Sequence, residues 1–425
     1  MLLYVNWDGF SYHWYELAKQ CGAGTPNLDR MIQNGAVLLN HHCGIPAITN
    51  PMQQTLVSGA WPAKTGNCYT YYDRETRKAV QTLRLNRCEN IVEAAQKRGL
   101  ACASVHGWYF ENRGCVAGDE SRPYIQNFLP NFETRVALLL AYLRGEAVPS
   151  GEGTVTMRKH PDFLAIYGDD IDNVCHNGAR LPYPEMKRAR TLEEWYRNFI
   201  YTVQRMDKAL GALLELPDTC VALAADHGGM PFGIPAFGVS AEAAHQLHGD
   251  ELLGAMEGAG LTPYVLKGAD DTAPEDAQAV LLLLGTQAQL TYTAPVSDAT
   301  KARVQQAVRA LPFVHRCMDQ AEQAGYGASA DFCDLFITSR APFHFGPYPA
   351  NEFVGGSHAA MEDSVLHVFC AFCGKGIKRG VQVTQATTLV DFAPTLCALL
   401  GFDGPQDKTG RVLTEVLAQP AGRAV

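Results

Sequence analysis

Short apolar runs recur along the chain, each long enough for a buried strand and too short for a helix. They are Leu2 to Asp8 (LLYVNWD), Ala101 to Gly107 (ACASVHG), Phe163 to Asp170 (FLAIYGDD), Cys220 to Gly229 (CVALAADHGG) and Leu366 to Gly374 (LHVFCAFCG). Their apolar residues are continuous rather than alternating, which marks strands covered on both faces, as in a parallel sheet. Helical patterns fall between them: TPNLDRMIQNGA, with Thr25 as cap and Pro26 in the first position, then NIVEAAQKRG, the long TLEEWYRNFIYTVQRMDKALGALLEL and LVDFAPTLCALLG. Alternation of this kind predicts an α/β fold, a three-layer sandwich around a largely parallel central sheet.

The pattern changes between His227 and His358. The stretch from about Pro231 to Tyr348 carries its own helical and strand-like segments, among them DAQAVLLLLGTQAQLTYTA and TKARVQQAVRALPFVHRCMDQAEQAGYG. It reads as an inserted α+β cap over residues 231–348, with a catalytic core formed by 1–230 and 349–425. A chain of 425 residues is long for a single compact core, which fits that division.

Three apolar runs end in acidic or histidine residues: Asp8, the segment Asp169 to His176, and Asp226-His227. Ligands of open α/β sheets bind at the carboxyl edge of the strands, so these clusters should converge despite their separation in sequence. Asp172 and His176 stand four apart, on one side of a helical turn. His358 follows two glycines in GGSHAA. Together these residues offer three carboxylates and three imidazoles, a donor set suited to paired Zn²⁺.

A second signal is the stretch GIPAITNPMQQTLVSG, where Asn50 reads as an N-cap and Pro51 as the first helical residue. Thr49 then sits at a helix N-terminus, where amides and the dipole favour an anion such as phosphate. Paired cations favour in-line displacement at phosphorus, and Thr49 is the hydroxyl available to them.

Composition narrows the classes. The net charge of −9 and the absence of clustered Lys and Arg exclude a sequence-independent nucleic-acid binder. No apolar run is long enough to span a bilayer, and MLLYVNWDGF lacks a basic leader, so a cytoplasmic protein without a membrane partner is expected. The 13 cysteines show no framework spacing and read as reduced thiols.

The motifs NWDGF, TPNLDRMIQNGA, PAITNPMQQTLVSGAWPAKTG, YGDDIDNVCHNG, AADHGG and GGSHAAMED, in this order, resemble the alkaline phosphatase superfamily. The nearest branch is that of nucleotide pyrophosphatases/phosphodiesterases and phosphonoacetate hydrolases. The resemblance implies two zinc ions, one held by Asp172, His176 and His358, the other by Asp8, Asp226, His227 and the Thr49 hydroxyl. It further implies attack by Thr49 on phosphorus and a phosphothreonine intermediate. Asn67, or Thr70 if the loop is read without a gap, would bind a non-bridging phosphoryl oxygen, and Trp108 is placed as in the phosphodiesterases. The substrate implied is a small phosphodiester, with a phosphonate as alternative and a non-catalytic metal-dependent binder as the non-enzyme reading. No counterpart is evident in the sequence for the arginine with which phosphomonoesterases hold a dianion.

Overall fold

The computed structural model describes residues 1–126, 131–346 and 355–418. Its centre is an eight-stranded sheet. The strands are β1 Leu2–Trp7, β2 Gly35–Leu38, β3 Cys102–Val105, β4 Tyr124–Ile125, β5 Phe163–Gly168, β6 Cys220–Ala224, β7 Cys370–Gly374 and β8 Val381–Val383. Their spatial order is β8-β2-β7-β6-β1-β5-β3-β4. Neighbours are parallel except at β7, which runs antiparallel to both β6 and β2. The expected parallel strand at Leu366 to Gly374 is therefore shorter and reversed. An all-apolar run reports burial on both faces but not direction.

Side chains of β1 alternate between two helical layers. Tyr4 packs against Phe392, with ring centroids 5.0 Å apart, while Trp7 meets Phe132 edge-on at 5.8 Å. Phe392 begins a helix reaching Leu399, on the side of the helix Thr49–Ser58, and Phe132 begins the helix Phe132–Leu143 on the opposite side. At the end of β5 a Cβ on Gly168 would lie 2.7 Å from the Phe132 ring, so only glycine lets that helix approach.

A second, five-stranded sheet is built from Tyr264–Leu266, Ala279–Leu284, Gln287–Tyr292, Val314–Asp319 and Leu335–Ser339. Ala279 and Leu281 face helices Gly249–Gly258 and Asp298–Arg309, while Val280 and Leu282 pack against Tyr72 of the hairpin 70–81. Met318, Phe332 and Phe336 join the main hydrophobic core, and Ile45 and Ala63 donate backbone hydrogen bonds to Tyr326 and Gly327. The expected boundary between 348 and 349 lies outside the described residues.

Candidate metal and catalytic centre

The carboxyl ends of β1, β5 and β6 bring Asp8, the helix Asp170–His176 and Asp226-His227 to one edge of the sheet. Parallel register places them: Trp7 pairs with Gly168 and Asn6 with Ala224, so each chain leaves the sheet at the same level. His358 arrives from strand Gly355–Ser357, which pairs with Met230–Phe232 just beyond His227. Its carbonyl accepts from Thr286 Oγ1 of the second sheet at 2.6 Å, and the next amide, of Ala359, donates to Ala47 in the loop before Thr49.

Two donor groups form. Ligand atoms of Asp8, Asp226 and His227 lie within 4.8 Å of one another, as do those of Asp172, His176 and His358. In the first, His227 Nε2 is 3.3 Å from Asp8 Oδ1 and 3.6 Å from Asp226 Oδ2. His227 Nδ1 is 2.9 Å from the Gly228 carbonyl, which accepts its proton and leaves the Nε2 lone pair facing the carboxylates. Asp226 Oδ1 accepts from the Gly9 amide at 3.2 Å, and Asp8 Oδ2 accepts from the Tyr167 hydroxyl. In the second group, Asp172 Oδ1 lies 3.4 Å from His176 Nε2 and 3.9 Å from His358 Nε2.

Burial makes the first group unusual. Asp8 and Asp226 are 1% and 0% exposed, and Asp8 Oδ1 and Asp226 Oδ2 have no hydrogen-bond partner. Desolvation, reinforced by Asp226 and Asp172, holds the Asp8 carboxyl well above its ordinary range. Asp226 is also raised by burial. Asp172 is desolvated too, yet His176, His358 and His227 pull it below the usual carboxylate range. His176 is raised in turn by Asp172, and burial pushes His358 down. Buried carboxylates with orphaned oxygens, facing imidazole lone pairs, need a cation to offset the lost hydration, and the oxygen and nitrogen donors suit a divalent metal.

The nucleophile candidate stands beside them. Thr49 Oγ1 is 3.0 Å from His227 Nε2. The helix begins two residues earlier than expected: Ile48 is the N-cap, Thr49 is the first helical residue, and the Asn50 side chain accepts from the Arg84 amide instead of capping. Pro51 still costs nothing, since first-turn amides have no intrahelical acceptor.

A cavity of about 320 Å³ opens over these groups, with Asp8, Thr49, Asp172, Trp108 and Arg84 in its wall. Neither Asn67 nor Thr70 lines it. Asn67 is fully buried, its amide donating to the Leu85 carbonyl at 2.9 Å and its oxygen accepting from the Tyr69 amide at 3.0 Å. Thr70 Oγ1 accepts from Gln81 across the hairpin. Sequence reading missed Tyr167 and Arg84. Tyr167 was discoverable, being the last side chain before Gly168 on a site-bearing strand, whereas nothing local marks Arg84.

A third donor group, His42, Asp363 and His367, also has ligand atoms within 4.8 Å of one another, and its imidazoles stack at 5.0 Å and 19°. No helix among the described residues is long and apolar enough to cross a membrane.

The type I phosphodiesterase/nucleotide pyrophosphatase family matches residues 2–322. Among solved structures, murine ectonucleotide pyrophosphatase/phosphodiesterase 5 is similar at 16% identity and TM-score 0.61, with 95% of each chain covered. Its human counterpart gives 16% and 0.63 over the same 95% of both chains. The alkaline phosphatase PafA gives 14% and 0.61, covering 98% of this chain and 99% of the other. Among curated proteins none matches the sequence significantly. The chain shares the fold of these structures and belongs to the type I phosphodiesterase/nucleotide pyrophosphatase family, as a phosphoric ester hydrolase.

Proposed function

We propose that the protein is a two-zinc phosphodiesterase in which Thr49 attacks phosphorus. The observation that carries this reading is the 3.0 Å approach of Thr49 Oγ1 to His227 Nε2, at a helix start and against an uncompensated buried carboxylate pair. Asp8, Asp226 and His227, together with the Thr49 hydroxyl, would hold one cation, and Asp172, His176 and His358 the other. When bound, the pair supplies Lewis-acid polarisation of the phosphoryl oxygens and of the threonine hydroxyl. Thr49 Oγ1 forms the new bond to phosphorus as the bond to the leaving oxygen breaks, and water then releases the phosphothreonine. The amides of Thr49 and Asn50, lacking intrahelical acceptors, point their dipole at the transferred group. A threonine-to-alanine variant of the murine relative is described as inactive and in complex with AMP, which supports both the nucleophile and a small phosphoester substrate.

The transferred group on this reading carries one negative charge and an organic substituent. Residues 231–348 act as an inserted unit whose Thr286 steadies His358. Thr49→Ala should lower turnover by several orders of magnitude with metal content nearly intact, since Asp8, Asp226 and His227 remain, whereas His358→Ala should lose at least one metal. Retention of a tenth of wild-type turnover by Thr49→Ala would refute the covalent route. A panel of bis-aryl phosphates, mono-aryl phosphates and aryl phosphonates tests the substrate class. A tenfold monoester preference would overturn the diesterase reading, and a phosphonate preference would favour the phosphonate hydrolase alternative. Tight binding without turnover of any ester would favour the binder.

A further inference from the structure

The cavity floor and its mouth differ in charge. The floor holds the Asp8 and Asp172 carboxylates beside Thr49, with Asp169 also in the wall, whereas the mouth carries Arg84, the one Lys or Arg among the described residues in the cavity wall. The Arg84 side chain is 53% exposed, so its head stands at the rim. Three contacts hold it there. Its guanidinium lies 5.6 Å from the centroid of the Trp108 ring, and Nη1 donates to Glu111 Oε2 at 2.6 Å. Its backbone adopts a φ of +58°, a costly conformation for a residue with a side chain, and its amide donates to Asn50 Oδ1 at 3.2 Å. Asn50 follows Thr49 in the helix, so the rim cation is registered to the nucleophile through one side chain. Glu111 occupies one of five guanidinium donors, which leaves a fork for an oxyanion.

We propose that Arg84 is the specificity-determining residue for a second oxyanion on the substrate, a phosphate or carboxylate carried by the group attached to the reacting phosphorus. Trp108 and Glu111 orient its guanidinium, and Asn50 is a positioning residue that fixes its backbone. The inference rests on the reading of the floor as the phosphoryl-transfer site. It also explains why Asn50 follows the threonine: its oxygen is needed to hold the strained turn that presents Arg84.

Three p-nitrophenyl phosphodiesters with the same leaving group test it, their second ester being ethyl, 2-carboxyethyl or 2-phosphonooxyethyl. In the wild-type holoenzyme kcat/KM should favour a charged substituent over ethyl, and the carboxyl and phosphoryl arms identify which oxyanion is read. Arg84→Gln should lose about 10- to 100-fold on the charged ester, the range of a charge-assisted hydrogen bond, with the ethyl ester changing less than about threefold. Asn50→Ala should reproduce part of this selective loss, and Glu111→Gln should strengthen the preference. Equal losses by Arg84→Gln on all three esters, or no wild-type preference, would overturn the proposal. Calorimetric binding of methylenediphosphonate against methylphosphonate makes the comparison without turnover. A wild-type preference for the former that Arg84→Gln abolishes supports the role of Arg84 even if no diester is hydrolysed, a result that would overturn only the diesterase reading. Equal binding of both phosphonates would overturn the role of Arg84.

Discussion

Replacing Tyr167 by Phe should weaken metal binding at the Asp8 group while leaving the fold intact. The ring stays in place, since it packs edge-on against Tyr109 at 6.1 Å and 89°. What disappears is the hydroxyl that donates to Asp8 Oδ2, in a setting where Asp8 is only 1% exposed. A hydrogen bond to a buried charged group contributes about 1.5–3 kcal/mol, equivalent to roughly 10- to 150-fold in affinity. The known cost of losing a partner to a metal ligand, about 10–100-fold, falls in the same range. The sign follows from proton competition. Burial already raises the Asp8 carboxyl and the Tyr167 hydrogen bond opposes that rise, so the variant raises it further and protons compete better with metal. Competition with a chromophoric zinc chelator at several pH values reads the effect. Affinity should fall at least tenfold at pH 7, the deficit should shrink as pH rises, and kcat at saturating metal should change little. An affinity within threefold of wild type would refute the reasoning, as would a deficit that grows with pH.

Three further outcomes follow from the packing. Asn67→Ala removes the bonds to Leu85 and Tyr69 and should cost about 1–3 kcal/mol in urea unfolding, with kcat changed less than about threefold; a large kcat loss at unchanged stability would restore Asn67 to the site. Gly168→Ala places a Cβ 2.7 Å from the Phe132 ring and should cost about 1–3 kcal/mol of overpacking in the same assay, whereas a neutral result would mean the helix Phe132–Leu143 yields. Burial lowers His41 to about 3, so the folded state refuses a proton that the unfolded chain accepts below about pH 6.5; this contribution is present above that pH and is lost on acidification toward 3. His41→Asn should therefore reduce the stability lost between pH 7 and 5 by about 2 kcal/mol, measured by denaturant titration at both pH values.

The parts of this design that sequence discloses are those set by local chemistry. Apolar runs ending in Asp8, Asp170 and Asp226 locate strands and their functional ends together, because burial and the carboxyl-edge rule act on the same segments. The structure accordingly brings Asp8, Thr49, Asp172, His176, Asp226, His227 and His358 to one edge. Features set by distant partners were not readable. The Asn67 amide is spoken for by Leu85, eighteen residues on. Arg84 reaches the cavity only because a left-handed turn is pinned by Asn50, so neither its spacing nor its neighbours announce it. The direction of β7 shows only in its antiparallel pairing with β6 and β2, and its composition is silent on that.

The position of β7 also has a consequence for the order in which a ribosome delivers the parts. Strands β2 and β6 are neighbours only through Cys370–Gly374, so both present bare edges throughout synthesis of the intervening second sheet. At typical elongation rates the interval between Ala224 and Cys370 is on the order of 10 s. During it Asp172 and His176 also wait for His358. Since β2 also waits for β8, the nascent chain carries three open strand edges and an unfinished metal site, the state in which edge pairing with another chain is most costly. Joining of β2 to β6 through β7 and completion of the ligand set then occur almost together, His358 and Gly374 lying sixteen residues apart along the chain.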